Sequence, residues 1–251
     1  MENFCFELCA ESLEAAKAAE AGGADRIELC TNLSIGGLTP SLELMRATTD
    51  ALSLPVHVLI RPRGGNFAYS EEEFLLMRRQ IGQAKSLGAA GVVVGVLHQD
   101  GHVDINRCRT LVELAYPMKT TFHRAFDETP QLSEALEAVA QTGAESLLTS
   151  GGEADVLTGA AAIGRLRQQA GERLQVMAGG GLTLQNLPEV AQQSGVSCLH
   201  GSLMRRHGAL RRGENGVTAN SGGVSVWEML EADVRQAVAL FRRQRQLQAM
   251  C

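Results

Sequence analysis

The feature that most constrains this chain is an alternation. From Phe4 to Leu199, short runs rich in β-formers take turns with amphipathic stretches of helical period. That pattern belongs to βαβ units, and a series of them builds a parallel sheet. Eight strands are predicted, near 4–9, 26–30, 56–60, 91–96, 119–123, 146–149, 174–178 and 196–200, with helices between them. Four helix-to-strand junctions share one design, since Gly23-Ala24, Gly88-Ala89, Gly143-Ala144 and Gly195-Val196 each close a helix ahead of an even-numbered strand. Glycine there is the left-handed helix stop. A signal recurring at every second strand fits a single (β/α)8 barrel of the TIM type, all strands parallel, better than an open doubly wound sheet; 251 residues is also the usual length of one such barrel. No linker divides the chain, so one barrel domain is expected over 1–251. A long Gly- and Arg-rich loop over 204–223 and a last helix over about 226–248 complete the expectation.

Composition narrows the partners. The formal net charge is -5 and aromatics make up 4%, so neither a phosphate-tracking face nor a base-stacking platform is expected, and nucleic acid is excluded as a partner. Met1-Glu2-Asn3 is acidic where a secretory leader is basic, and no apolar run approaches the roughly 18 residues that span a bilayer. The chain is therefore expected to be cytoplasmic, with no membrane partner. Its six cysteines, four of them in or just after strands, then read as reduced thiols rather than a disulfide framework.

Side chains alternate between the faces of a strand, so parity tells which residues enter the barrel lumen. With Phe4, Phe6 and Leu8 facing the helices, Cys5, Glu7 and Cys9 point inward; with Ile27 and Leu29 outside, Arg26, Glu28 and Cys30 point inward. The same rule sends His57, Arg61, Thr121, His123 and His200 inside. A purely structural lumen would be Val, Ile and Leu. Buried charge is costly unless paired, and part of this set is expected to neutralise itself, with Arg26 against Glu7 or Glu28. The rest points to use. Glu7, Glu28, His123 and His200 are the candidates for acid-base chemistry.

Glu-Leu-Cys occurs twice, as Glu7-Leu8-Cys9 and Glu28-Leu29-Cys30, at matching ends of adjacent strands. Two readings stand. Cys9 and Cys30 are either two small buried side chains or a thiolate pair, and a two-thiolate site without a dense set of imidazoles suits Cu(I) better than tetrahedral zinc. A second constellation reads as an anion site. Gly179-Gly180-Gly181 follows strand seven and Gly201-Ser202 follows strand eight, where such barrels hold phosphate on backbone N–H groups. Arg61, Arg63, Arg124 and Asp127 are placed at the same mouth. Lysines occur only at Lys17, Lys85 and Lys119, away from the mouth, which argues against Schiff-base chemistry; no Walker loop or strand-linked dinucleotide motif is present, so no nucleotide cofactor is expected.

Taken together, Glu7-Leu8-Cys9-Ala10, Gly23-Ala24-Asp25-Arg26-Ile27-Glu28-Leu29-Cys30 and Gly36-Gly37-Leu38-Thr39-Pro40-Ser41 resemble the CutC family, as do Ile60-Arg61-Pro62-Arg63-Gly64-Gly65, Phe122-His123-Arg124-Ala125-Phe126-Asp127 and Leu148-Thr149-Ser150-Gly151-Gly152. The resemblance covers nearly the whole chain, with Asn66 where an Asp is more usual. It implies a parallel barrel linked to copper homeostasis, copper ligation at the positions of Cys9 and Cys30, and a homodimer or larger assembly. Two functions follow as expectations: a protein that binds copper as Cu(I), or an enzyme acting on a small anionic or phosphorylated molecule.

Overall fold

A computed structural model describes residues 4–207 and 226–249. Its sheet is a closed barrel of eight parallel strands, β1 (Cys5–Ala10), β2 (Arg26–Leu29), β3 (Val56–Leu59), β4 (Gly91–Val94), β5 (Lys119–Phe122), β6 (Ser146–Thr149), β7 (Gln175–Gly179) and β8 (Cys198–Gly201). Each strand pairs with the next, and β8 closes the ring on β1 with Cys198 beside Cys5 and His200 beside Glu7. The fold is a (β/α)8 barrel.

Eight helices follow: α1 (Leu13–Ala21), α2 (Leu42–Ala51), α3 (Glu71–Ser86), α4 (Ile105–Ala115), α5 (Leu132–Thr142), α6 (Ala160–Ala170), α7 (Leu187–Ser194) and α8 (Glu231–Ala249). Several start where a short polar side chain accepts a bond from the first turn. Ser12, Ser41 and Asp104 cap α1, α2 and α4, and Ser70 with Glu73 makes a reciprocal capping box on α3. The four junction glycines all adopt positive φ, between 62° and 88°, as a left-handed helix stop requires.

The principal core lies between sheet and helices. Phe6, Leu8, Ile27, Leu29, Val58, Val92, Phe122 and Leu199 leave the strands outward and bury against helix residues such as Ala16, Met77, Ile81, Leu111 and Phe241. Burying a side chain of this size stabilises by about 1.5–3 kcal/mol. Among the described residues the lumen carries two small apolar clusters, Cys9, Cys30, Leu59 and Val93 in one, Leu148, Met177 and Cys198 in the other.

The chain after β8 differs from expectation. Met204–His207 is a strand, β9, rather than the opening of a loop, and pairs antiparallel with β10 (Val226–Met229), which had been expected as the first turn of the last helix. Val226 and Trp227 favour strand, and the helix begins only at Glu231, where Glu231 and Asp233 place carboxylates in the first turn. Arg205 and Arg206 belong to β9, whereas 208–223 of the expected loop, with Arg211 and Arg212, lie outside the described residues.

Candidate functional site

Register brings the charged lumen residues into contact. Glu7 lies beside Arg26 on one side and His200 on the other, while Cys9 lies beside Glu28. Arg26 Nε donates to Glu7 Oε2 at 2.5 Å, His200 Nδ1 meets Glu7 Oε1 at 2.7 Å, and His200 Nε2 lies 3.3 Å from Glu28 Oε2. One imidazole thus bridges two buried carboxylates.

Burial pushes both carboxyls up, but Glu7 ends well below the usual carboxylate range because Arg26 and His200 favour its charge. Glu28 stays raised, since burial and the negative Glu7 outweigh its attraction to His200. For His200 burial works against the imidazolium, yet Glu28 and Glu7 overcome it and the pKa is raised. Two other lumen imidazoles behave oppositely. Burial, with Arg26 nearby, pulls His57 down to about 4; burial, with Arg61 nearby, pulls His123 down to about 3. Both are neutral at physiological pH.

Glycine makes room for all three rings. A Cβ on Gly91 would lie 2.5 Å from the His57 ring, one on Gly95 2.5 Å from His123, and one on Gly179 2.9 Å from His200 Cβ. The glycine beside each histidine is therefore a packing requirement, and Gly179 backs His200 instead of facing a ligand.

At the ends of the strands Cys9 Sγ and Cys30 Sγ are 2.9 Å apart, both cysteines buried and free. The Cys30 thiol beside it, burial and Glu28 hold the Cys9 thiol well above its ordinary pKa. Among the described residues, Cys9, Glu28 and His200 are the one set of three His, Cys, Asp or Glu donors whose ligand atoms all lie within 4.8 Å of one another. Two donors at about 2.3 Å from one ion are at most about 4.6 Å apart, so such a set is close to what a single ion needs. Cys30 joins it through Cys9.

These groups open on a cavity of about 270 Å³ lined by Cys9, Glu28, Arg61, His123, Arg124, His200, Gly180, Gly181, Gly201 and Ser202, together with Leu33, Gly36, Gly37, Leu59, Phe67 and Leu148. Glu7 lies beneath, outside the lining. Three expected anion residues are placed elsewhere or otherwise engaged. Arg63 does not line the cavity: its guanidinium binds Glu73 at 2.5 Å and the Asn66 and Ala68 carbonyls, and lies over the Tyr69 ring. Asp127 organises the loop after β6, accepting from Thr149 Oγ1 and from the Ser150 and Gly152 N–H groups. It also holds Arg124 Nε at 2.8 Å, while Arg124 reaches Ser150 Oγ at 2.8 Å. Gly179, as described, supports His200.

Phe67, Gly36 and Gly37 line the cavity and Ser150 binds Arg124 beside it, though none of the four is among the candidate site residues of the sequence. Gly36-Gly37 stood in a recognisable motif, but Phe67 comes from an irregular loop whose path no periodicity reports.

The sequence model of the CutC family matches residues 4–205. The chain belongs to the CutC family. A human relative named copper homeostasis protein cutC homolog is 45% identical over 197 residues, 78% of this chain and 72% of the relative. A CutC family protein from Chromobacterium violaceum is 43% identical over 235 residues, 93% of this chain and 95% of its own. The crystal structure of a protein from Streptococcus agalactiae named for copper homeostasis as CutC superposes with a TM-score of 0.75 at 30% identity, covering 80% of this chain and 99% of that one. Among the described residues of this chain no helix is long and apolar enough to cross a membrane.

Proposed function

We propose that this protein binds Cu(I) through Cys9 and Cys30, with Glu28 and His200 beside them at the barrel mouth. The observation that carries the reading is the 2.9 Å approach of two free, buried sulfurs, one of which shares a three-donor cluster with Glu28 and His200. Soft sulfur ligands favour Cu(I), and apolar Leu59 and Val93 around the pair shield it from water. Because Cys9 is held in its protonated form, binding releases a proton, for which the Glu28 carboxylate of the same donor cluster is a neighbouring acceptor. Apparent affinity therefore rises with pH.

Competition against a chromogenic Cu(I) chelator tests the assignment. The parent is expected to withdraw one Cu(I) per chain from the chelator, and a Cys9→Ser, Cys30→Ser protein that competes as well as the parent would end it. The reading includes a cytoplasmic homodimer, supported by the family resemblance and by thiols that require reducing surroundings. Light scattering at a monomer mass over the working concentration range would remove the dimer from it.

A further inference from the structure

The cavity has two walls of unlike chemistry. Cys9, Glu28 and His200 form one; Arg61, His123, Arg124, Gly180 and Gly181 form the other. On the second wall Arg61 is only 6% exposed, and its guanidinium donates to three neutral carbonyls, those of Ile35, Gly37 and Gly65. Among the described residues no carboxylate lies within 4.0 Å of it, and its Nε has no hydrogen-bond partner. It is a buried cation with no carboxylate in contact, the charge of Glu128 acting on it only from farther away, an arrangement that is costly unless something supplies a closer partner.

Beside it, His123 is 5% exposed, and its Nδ1 accepts from the Ala125 N–H. The proton of this neutral ring is thereby placed on Nε2, which has no partner either. The Phe67 ring lies 4.8 Å from both the Arg61 Cζ and the centre of the His123 ring, so the two unmatched donors flank one aromatic side chain. Arg124, whose Nε is paired with Asp127 at 2.8 Å, adds a second guanidinium against Gly180. The carbonyls that could have served as acceptors here are taken, Gly180 O by the Val156 N–H and Gly181 O by Asn186 Nδ2.

A wall with two cations, two orphaned donors and its acceptors already engaged matches a ligand rich in acceptors and negative charge. We propose that this wall binds the oxyanion head, carboxylate or phosphate, of a small organic molecule, with Arg61 and Arg124 as counter-charge and His123 Nε2–H as donor. A volume of about 270 Å³ approaches the lower range of small-molecule sites and exceeds what a bare ion needs. None of the donors is a sulfur, so the inference stands apart from the copper reading.

The test titrates metal-free, full-length protein with inorganic phosphate and, separately, with glycolate, using chloride at matched ionic strength as the control. Saturable movement of the His123 Nε2–H resonance and a rise in Tm beyond chloride are expected for at least one anion. Phosphate alone producing the effect assigns a phosphate head, glycolate alone a carboxylate, and either supports the site. Arg124→Gln, half-exposed and away from the core, is expected to weaken the effective anion about tenfold or more, and His123→Asn by a comparable factor. The proposal is overturned if neither anion exceeds chloride, or if both variants, folded by circular dichroism, bind as tightly as the parent.

Discussion

The barrel holds two pairs of cysteines on neighbouring strands, and their difference is instructive. Cys5 and Cys198 sit side by side near the base, in a cluster with Met177 and Leu148; Cys9 and Cys30 sit at the mouth, next to Glu28 and His200. By residue type the base pair is the richer soft site, with a thioether close by. Among the described residues it shares no donor cluster with a carboxylate or imidazole, neither of its cysteines lines the cavity, and Arg26 approaches Met177 Sδ to 3.6 Å. A cation next to sulfur repels a metal ion. Adjacency of thiols thus makes a packing cluster in one place and a candidate metal site in the other, and the Arg26–Glu7–His200 layer between them decides which is which.

The largest effect is expected from breaking that layer. Glu7→Gln leaves the partly buried Arg26 without its contacting counter-charge and is expected to cost about 3 kcal/mol, read as a lower urea midpoint at unchanged slope. Adding Arg26→Met to Glu7→Gln should restore most of that loss. If Glu7→Gln alone is neutral, the layer is not an ionic partition and the contrast between the pairs loses its cause.

Next comes the contrast itself. Cys9→Ser with Cys30→Ser is expected to weaken Cu(I) at least a hundredfold, about 2.8 kcal/mol, while Cys5→Ser with Cys198→Ser leaves it within about twofold. Equal losses from both double variants would erase the distinction.

Much of this arrangement was legible from parity and little from partner choice. Alternation in Phe4-Cys5-Phe6-Glu7-Leu8-Cys9 is enough to send Glu7 and Cys9 inward, because a closed sheet has only two faces. The Arg26–Glu7 pair was one of two foreseen options, and register selects it. His200 between two carboxylates was not visible, since its partners come from β1 and β2, far away in the chain. Arg63 failed for a related reason: Glu73 and the Asn66 carbonyl, which engage its guanidinium, are reached by a loop path that charge pattern does not encode. The β9–β10 hairpin was missed because a four-residue segment such as Val226–Met229 has no period long enough to separate strand from helix.

A smaller effect probes the polar layer through its neutral imidazole. His57 is held down near 4 by burial and by Arg26, against an ordinary 6.5. The folded protein therefore binds fewer protons than the unfolded chain below pH 6.5, and stability is lost as pH falls from 6.5 toward 4. Glu7, whose folded pKa is depressed, contributes stability that is complete above about 4.5 and lost only below it, while Glu28, whose folded pKa is raised, acts above 4.5 in the opposite sense to His57, so the His57 contribution is read from the difference between variant and parent. His57→Gln is expected to remove about 1.4 kcal/mol per pH unit from that slope, measured by urea unfolding at stepped pH. An unchanged slope would mean that the ring is already solvated.

The smallest effect sharpens the comparison most cleanly, because it asks whether the base pair is packing alone. Cys198 is fully buried against Met177 and Leu148, and burial beside Cys5 drives its thiol pKa well above the ordinary value. An inert thiol of this kind behaves as a small apolar group, so Cys198→Ala is expected to cost about 1 kcal/mol, the value of a buried methylene, with no change in Cu(I) affinity. Cys30→Ala removes a side chain equally buried and should show a similar loss in stability, but together with a loss of Cu(I) affinity. Stability alone does not separate the two substitutions. The copper titration does, and a Cys198→Ala protein that lost copper without losing stability would place the metal at the base of the barrel instead of its mouth.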